Sequence, residues 1–237
     1  MTAGMHSLRK RFVPALIISL CTILLPLSGC KIVPNDQRTS AGGSSTKQSA
    51  AENTAAGFDA NSYVDSVWDA QLVPHFDTQA NELATVIEAI KKDLDEAGKK
   101  FGQRPDAEGS PWSFAVKAQA RIVAVNTESR AGTMLVEIAT SSGPQQVTLQ
   151  IGPVIKGSAI RDSLPFFSFG KVTNQLEFAQ VGRAFNDRAL KQIQAALPAL
   201  KEAGTSVEFI GAISITGEPE SFVVTPVSIK PVAGGNK

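Results

Sequence analysis

The stretch FAVKAQARIVA, residues 114–124, decides the fold of the C-terminal half of this chain. Its even-numbered residues are apolar and alternate with Lys117, Gln119 and Arg121, a period of two that is typical of a half-buried β-strand. Two further alternating runs, residues 134–138 and 147–151, follow after short turns. Because consecutive strands joined by short turns pair side by side, the sequence predicts a three-stranded antiparallel meander.

A helix and two more strands complete the predicted domain. Asn174 and Glu177 occupy the cap and third positions of a helix start, and an apolar face with helical spacing runs on to Pro198. Alternating runs then return at residues 207–215 and 223–229. The order predicts an α+β fold in which a five-stranded antiparallel OB-like barrel carries a helix between strands 3 and 4. An open sheet packed on helices is the competing arrangement.

Residues 58–100 form the predicted helical part, a pair of amphipathic helices that precedes the barrel at residues 112–230. Pro74 is expected to end the first helix because proline lacks the backbone donor, and Asp77 to cap the second. Aromatic side chains at helical spacing are more often packed in a core than stacked on a sugar. We therefore expect Tyr63, Trp68 and His75 to pack in a core rather than to form a sugar-binding site.

The N-terminus has the pattern of a secretory signal. Arg9, Lys10 and Arg11 precede an apolar run at residues 13–27, which is shorter than the roughly 20 residues that a membrane-spanning helix needs. The run closes in LSGC, residues 27–30, which resembles the lipoprotein signal of bacteria. The resemblance implies cleavage between Gly29 and Cys30 and attachment of lipid to Cys30. An ordinary signal peptide that ends near a cysteine is the alternative.

Processing at this position divides the chain into a signal peptide (1–29), a lipid anchor with a disordered tether (30–57) and one globular domain (58–230). Cleavage removes one of the two cysteines and one of the two histidines, so neither a disulfide nor a Cys/His metal or nucleophile site can form within the mature chain. We therefore expect no cofactor and no metal. The formal net charge of +1 lacks the basic excess of a nucleic-acid-binding protein.

Residues 152–178 stand out because glycine, proline, phenylalanine and charged residues are concentrated there. Arg161 and Asp162 offer a charged pair, and the polar side chains of Asn174 and Gln175 could hydrogen-bond a polyhydroxylated ligand. Arg161 could also pair with Glu177. The other interpretation is that Arg161 and Asp162 brace the loop, Asn174 caps the helix, and Phe166, Phe167 and Phe169 close the barrel end. An acid/base pair for glycoside hydrolysis would have to come from Glu137, Asp162 and Glu177, whose spacing does not single them out.

Three motifs resemble a family of predicted periplasmic lipoproteins of unknown function from Proteobacteria: CKIV at 30–33, GPVIKGSAIRD at 152–162 and NQLEFA at 174–179. The similarity covers most of residues 58–215. It implies a lipid anchor and genes that often lie near sugar-uptake ABC transport components. The resemblance implies no catalytic residues.

The sequence favours a non-enzymatic lipoprotein that is held on the periplasmic side of a membrane by its N-terminal lipid. Lys31 after the anchor favours the outer membrane over the inner. Its expected partner is a transporter component or another protein, or a small sugar-like ligand, in support of carbohydrate ABC uptake. Three alternatives stay open: a carboxylate-dependent envelope hydrolase acting on a glycan, a two-lobed solute-binding protein, and a structural or chaperone-like envelope protein.

Overall fold

The structure, a computed structural model, describes residues 58–105 and 109–232. The predicted signal peptide and tether, with Gly29 and Cys30, lie outside the described residues. In chain order, the N-terminal elements are α1 (Ala60–Val67), a π-helical turn (Trp68–Leu72), α2 (Val73–Gln79), β1 (Asn81–Glu82), α3 (Leu83–Lys92), α4 (Leu94–Phe101) and β2 (Gly102–Gln103). They are followed by β3 (Trp112–Asn126), β4 (Thr133–Thr140), β5 (Gly143–Gln150), α5 (Ala159–Asp162), α6 (Gln175–Gln194), β6 (Ser206–Ile215) and β7 (Phe222–Pro231).

The five long strands pair in a ring, in the order β3, β4, β5, β7, β6 and back to β3. Four of the five pairings are antiparallel, but β5 and β7 run parallel where residues 147–149 face 222–224. The prediction of an all-antiparallel five-stranded barrel is therefore wrong at this point. The chain crosses from β5 to β7 through α6 and β6, and such a crossover brings strands together in parallel. The short strands β1 and β2 also pair with β3, so the sheet has seven strands within the described residues.

The strand β3 organises the ring because it pairs with two of the other long strands. Its first ten residues pair with β6, five of its last six pair with β4, and a β-bulge lies between Ile122 and Ala124. A bulge bends a strand and increases its twist, which helps one long strand to turn from one neighbour to the next. The even-numbered side chains of β3 from Phe114 to Ile122 are buried in the barrel core with Ile87 of α3 and Ile193 of α6.

A second core lies on the outer side of the barrel. Ala115, which points away from its neighbours Phe114 and Val116, packs there with Ala212 of β6 and Val227 of β7. Against these residues lie α1, the π-helical turn, α2, α5 and α6, which contribute Val64, Trp68, Phe76, Ile160 and Phe185 in that order. The segment that the sequence singles out, residues 152–178, is part of this outer core through Ala159, Ile160, Leu164 and Phe167.

The N-terminal helical part differs from the predicted pair, since four α-helices lie in residues 58–105. Pro74 does not end the first helix: it lies in the first turn of α2, directly after the π-helical turn, and the helix continues to Gln79. A π-helical turn is wider than an α-helical turn and leaves room for the proline ring, so the usual clash is avoided. Asp77 lies inside α2 and caps nothing, because the next helix, α3, begins at Leu83.

Candidate functional site

The segment between β5 and α5 is fixed to the barrel by a buried glutamine. Gln150 is 9% exposed, and its Nε2 donates to Thr225 Oγ1 at 2.9 Å and to the Lys156 carbonyl at 3.0 Å. Its Oε1 accepts from the backbone nitrogen of Lys156 at 2.8 Å. The side chain therefore continues the parallel pairing of β5 and β7 beyond the last backbone pair and holds the following turn at a defined position.

Arg161 and Asp162 of α5 form a nearly buried ion pair, with side chains 10% and 7% exposed. The guanidinium Nε donates to Asp162 Oδ1 at 2.7 Å, and Nη1 donates to the Phe178 carbonyl at 2.9 Å. The other carboxylate oxygen, Oδ2, accepts from Ser158 Oγ at 2.6 Å. The guanidinium carbon also lies 3.6 Å from the centre of the Phe178 ring. Arg161 thus joins α5 to the first turns of α6 through charge, hydrogen bonds and stacking.

Helix α6 approaches this pair closely because it carries a glycine there. A Cβ on Gly182 would lie only 3.1 Å from Arg161 Nη1. One turn later, Asn186 is 5% exposed, and its Nδ2 donates to the Gly157 carbonyl at 2.8 Å. The carbonyl can only face the amide nitrogen, which fixes the orientation of the amide. The Asn186 Oδ1 is buried and has no hydrogen-bond partner among the described residues.

Between the 153–158 segment and α6 lies a cleft of about 480 Å³. The cleft is lined by two apolar side chains, Val154 and Ile155, and by the polar side chains of Arg161 and Asn186. Two exposed charged residues, Arg183 and Asp187, also line it. The remaining lining residues are Pro153, Gly157, Ser158, Ala179 and Gly182. The two exposed charges are opposite in sign, and Arg161 is already paired. The cleft therefore presents polar groups without a marked net charge.

A larger groove of about 950 Å³ lies between α3 and α4, but it is a less selective surface. Its walls carry long exposed side chains such as Lys92 and Lys100, and Lys99 pairs with Glu96 at 2.8 Å across the helix surface. Exposed pairs of this kind contribute little binding energy. The cleft at α6 is the stronger candidate because one of its lining residues, Asn186, carries a buried acceptor that has no hydrogen-bond partner among the described residues.

The residues singled out in the sequence fall into two groups. Arg161 lines the cleft and pairs with Asp162, which is not a lining residue. Asn174, Gln175 and Glu177 lie at the start of α6 and are not lining residues either. Asn174 Oδ1 accepts from the Glu177 nitrogen at 2.9 Å and caps the helix.

Sequence reasoning missed Asn186, Arg183 and Asp187, which all lie on α6. A signal for the first was present, since Gly182 and Asn186 are four residues apart beside the apolar stripe of Val181 and Phe185. A small residue and an amide one turn apart at the edge of a buried face indicate a close polar approach.

The aromatic residues of the N-terminal part pack as expected. Trp68 is 1% exposed in the outer core. Tyr63 belongs to a series of ring contacts, which we call the aromatic cluster: Phe58, Tyr63, Phe167, Phe169 and Phe178. Burial raises the pKa of the Tyr63 hydroxyl and lowers the pKa of the His75 imidazole, whose Nε2 is buried and has no hydrogen-bond partner in the part of the chain that the structure describes.

The three carboxylates considered for hydrolysis have separate surroundings. Asp162 is bound to Arg161 and Ser158, while Glu177 Oε2 accepts from the Thr173 nitrogen at 2.8 Å. Glu137 lies on β4, opposite Arg121 of β3. Residues 58–105 and 109–232 also contain no group of three or more His, Cys, Asp or Glu side chains placed to hold a metal ion.

The pairing order and the helix between the third and fourth barrel strands define the class of this protein: an α+β protein built on an OB-type barrel. The structure is similar to the crystal structure of an OB-fold protein from Thermotoga maritima, with a TM-score of 0.61 and 14% sequence identity over 74% of this chain and 99% of that chain. The model of a family described as "Predicted periplasmic lipoprotein (DUF2291)" matches residues 20–230. The chain belongs to this family, as its resemblance implied. No curated protein matches it significantly.

A membrane-spanning helix would have to be both long and apolar. No helix within the described parts of the chain meets both requirements.

Proposed function

We propose that this protein is a lipid-anchored, non-enzymatic lipoprotein of the periplasm that holds a small, neutral, polyhydroxylated ligand in the cleft beside α6. The observation that carries the proposal is the buried Oδ1 of the lining residue Asn186, which has no hydrogen-bond partner among the residues that the structure describes. A buried acceptor left without a donor costs about 1–3 kcal/mol. In this proposal a ligand hydroxyl in the cleft donates to Asn186 Oδ1 and recovers that free energy.

The charges of the cleft support a neutral ligand over an ionised one. Arg161 is neutralised by Asp162, and Arg183 at the rim is offset by Asp187. The volume of about 480 Å³ lies in the range of roughly 300–1,000 Å³ that small-molecule sites occupy. Since the formal charges of the lining residues cancel once Arg161 is paired with Asp162, a neutral sugar or polyol is the class of ligand that this composition supports best.

The lipid anchor is the second part of the proposal, and family membership supports it together with the LSGC motif at residues 27–30. Diacylglyceryl and acyl chains on Cys30 would contribute about 0.8 kcal/mol per buried methylene, enough for stable attachment. The test is replacement of Cys30 by Ser, followed by cell fractionation and labelling with palmitate. A variant that stays in the membrane fraction, beside a wild type that takes up no label, contradicts the anchor.

The ligand is tested by thermal unfolding of the mature lipoprotein in detergent, followed by the fluorescence of Trp68 and Trp112, the chain's two tryptophans. A ligand at 100 times its dissociation constant stabilises by about 2.7 kcal/mol, which raises Tm by about 5–10 °C at this size. We expect the shift with one or more neutral sugars or polyols, and no shift with citrate or phosphate, which at neutral pH offer mainly acceptors.

The matched variants are Asn186→Leu, which removes the acceptor, and Gln180→Leu, which introduces the same side chain at an exposed position of α6. We expect the ligand-induced rise in Tm to disappear in Asn186→Leu and to remain in Gln180→Leu. A wild type that responds to no sugar or polyol overturns the small-ligand proposal and favours a protein partner, such as a component of a carbohydrate ABC transporter. That role in carbohydrate uptake is supported only by the resemblance.

A hydrolase acting on a glycan is the competing proposal. Such enzymes place two carboxyl groups about 5–10 Å apart on either side of the scissile bond. Of the described residues that line the cleft, one, Asp187, carries a carboxylate. This composition supports a binding site over a hydrolytic one.

A further inference from the structure

We infer that the cleft beside α6 selects a cyclic sugar over an acyclic polyol with the same number of carbons, an inference that rests on the proposed function. The lining residues form two walls of different chemistry. One wall is apolar and consists of three consecutive residues, Pro153, Val154 and Ile155. The other is a single face of α6, because its members recur at helical spacing: Ala179, Gly182, Arg183, Asn186 and Asp187.

The wall on α6 offers hydrogen bonds of both kinds. Asn186 Oδ1 is the buried acceptor, while the exposed side chains of Arg183 and Asp187 supply donors and acceptors at the rim. Arg161 contributes less, because its guanidinium already donates to groups of the fold. Since a hydroxyl group both donates and accepts, neighbouring hydroxyls of one ligand can satisfy this wall together.

The apolar wall is open to a ligand, since Val154 is 37% exposed and Ile155 is partly exposed. A sugar ring directs its hydroxyls outward from its edge and has C–H groups on its faces. One face can therefore cover the two side chains while hydroxyls at the edge bond to α6, and the covered apolar area is removed from water. An open-chain polyol carries a hydroxyl on every carbon, so contact with the same wall leaves some of these hydroxyls without partners, which is costly.

Both walls are held in position before a ligand arrives. The Val154 nitrogen donates to the Arg130 carbonyl at 2.9 Å, and the buried Gln150 side chain bonds both backbone groups of Lys156. On the facing wall, the Asn186 amide donates to a backbone carbonyl at 2.8 Å. A cleft fixed in this way favours a rigid ligand, because a ring has fewer torsions to immobilise on binding than an open chain.

The experiment compares each aldose with the alditol formed by its reduction: glucose with sorbitol, mannose with mannitol, galactose with galactitol and ribose with ribitol. The members of a pair have the same number of carbons, but only the aldose closes a ring. Binding to the mature lipoprotein is measured by titration calorimetry in a detergent without a sugar headgroup, since such a headgroup would compete for the cleft. We expect at least one aldose to bind, and to bind about tenfold or more tightly than its alditol.

The apolar wall is tested separately by Val154→Ser. Val123→Ser is the matched control, because Val123 is 38% exposed on β3 and does not line the cleft. We expect Val154→Ser to weaken aldose binding at least roughly threefold and to reduce the preference over the alditol, and Val123→Ser to change neither.

The outcomes separate this inference from the proposed function. An alditol that binds as tightly as its aldose overturns the preference for a ring and leaves the proposed ligand site intact. Equal aldose affinity in Val154→Ser and Val123→Ser overturns the role of the apolar wall. Binding of no aldose and no alditol overturns the proposed ligand site itself, and the inference with it.

Discussion

Replacing Arg161 by Leu tests whether its nearly buried ion pair with Asp162 braces the fold. The substitution leaves the Asp162 carboxylate, 7% exposed, with the Ser158 hydroxyl as its remaining side-chain partner, and it removes the donor to the Phe178 carbonyl. Removing one partner of a buried ion pair costs about 3–5 kcal/mol. For a protein of this size we expect Tm to fall by about 10 °C.

The measurement is urea unfolding followed by the fluorescence of Trp68, which is 1% exposed and reports loss of the outer core. Arg183→Leu is the matched control: it removes the same side chain from an exposed position of the same cleft and should change stability by no more than about 0.5 kcal/mol. The double variant Arg161→Leu with Asp162→Leu should be more stable than Arg161→Leu alone, because no unpaired carboxylate stays buried. An Arg161 variant as stable as the Arg183 control refutes the bracing role.

Three further predictions concern the turn, the histidine and the glutamine. Gly152→Ala places a Cβ against the backbone of the facing turn and should cost about 1–3 kcal/mol in urea unfolding, whereas Gly170→Ala, with no atom nearer than 3.8 Å, should be tolerated. Burial lowers the folded-state pKa of His75 below its ordinary value of 6.5, so the unfolded chain binds more protons there and stability falls as pH drops below about 6.5; His75→Phe should flatten this part of the pH profile of Tm. Gln150→Leu should cost about 2 kcal/mol by the same urea assay, and Gln146→Leu, exposed on the same strand, close to none. Equal stability within either matched pair, or an unchanged pH profile, contradicts the corresponding prediction.

The strands were predictable because side-chain alternation is a local property. Each β-strand residue faces one side of the sheet, so the period of two in residues 114–124 reports burial directly. No local pattern in the sequence indicated the parallel pairing of β5 with β7. It joins Leu149 to Val224, which are 75 positions apart in the chain, and depends on how α6 and β6 return to the barrel. Side-chain alternation therefore identifies the individual strands, but the closure of the ring depends on contacts between parts of the chain that are distant in sequence.

The difference between local pattern and long-range contact also explains which residues of the site could be predicted. The pairing of Arg161 with Asp162 was predictable because the two residues are neighbours in sequence. Asn186 was missed because its partner, the Gly157 carbonyl, lies 29 residues earlier and belongs to a turn. At Pro74 a local rule led to a wrong prediction. Proline usually ends a helix, but here it follows a π-helical turn and lies in the first turn of α2, which continues to Gln79.

The proposed ligand site lies beside the aromatic cluster, because Arg161 lines the cleft and stacks on Phe178. Even fully extended, the 28 residues 30–57 span at most roughly 100 Å, so a lipid on Cys30 would keep the domain near the membrane that holds it. The choice of membrane therefore limits the choice of partner. An outer-membrane anchor, which Lys31 favours, suits a soluble carrier or an outer-membrane protein, whereas direct contact with an ABC permease requires an inner-membrane anchor. Separating the two membranes on a density gradient consequently tests the partner class as well as the location: recovery in the outer membrane argues against a permanent complex with a permease, and recovery in the inner membrane overturns the inference from Lys31.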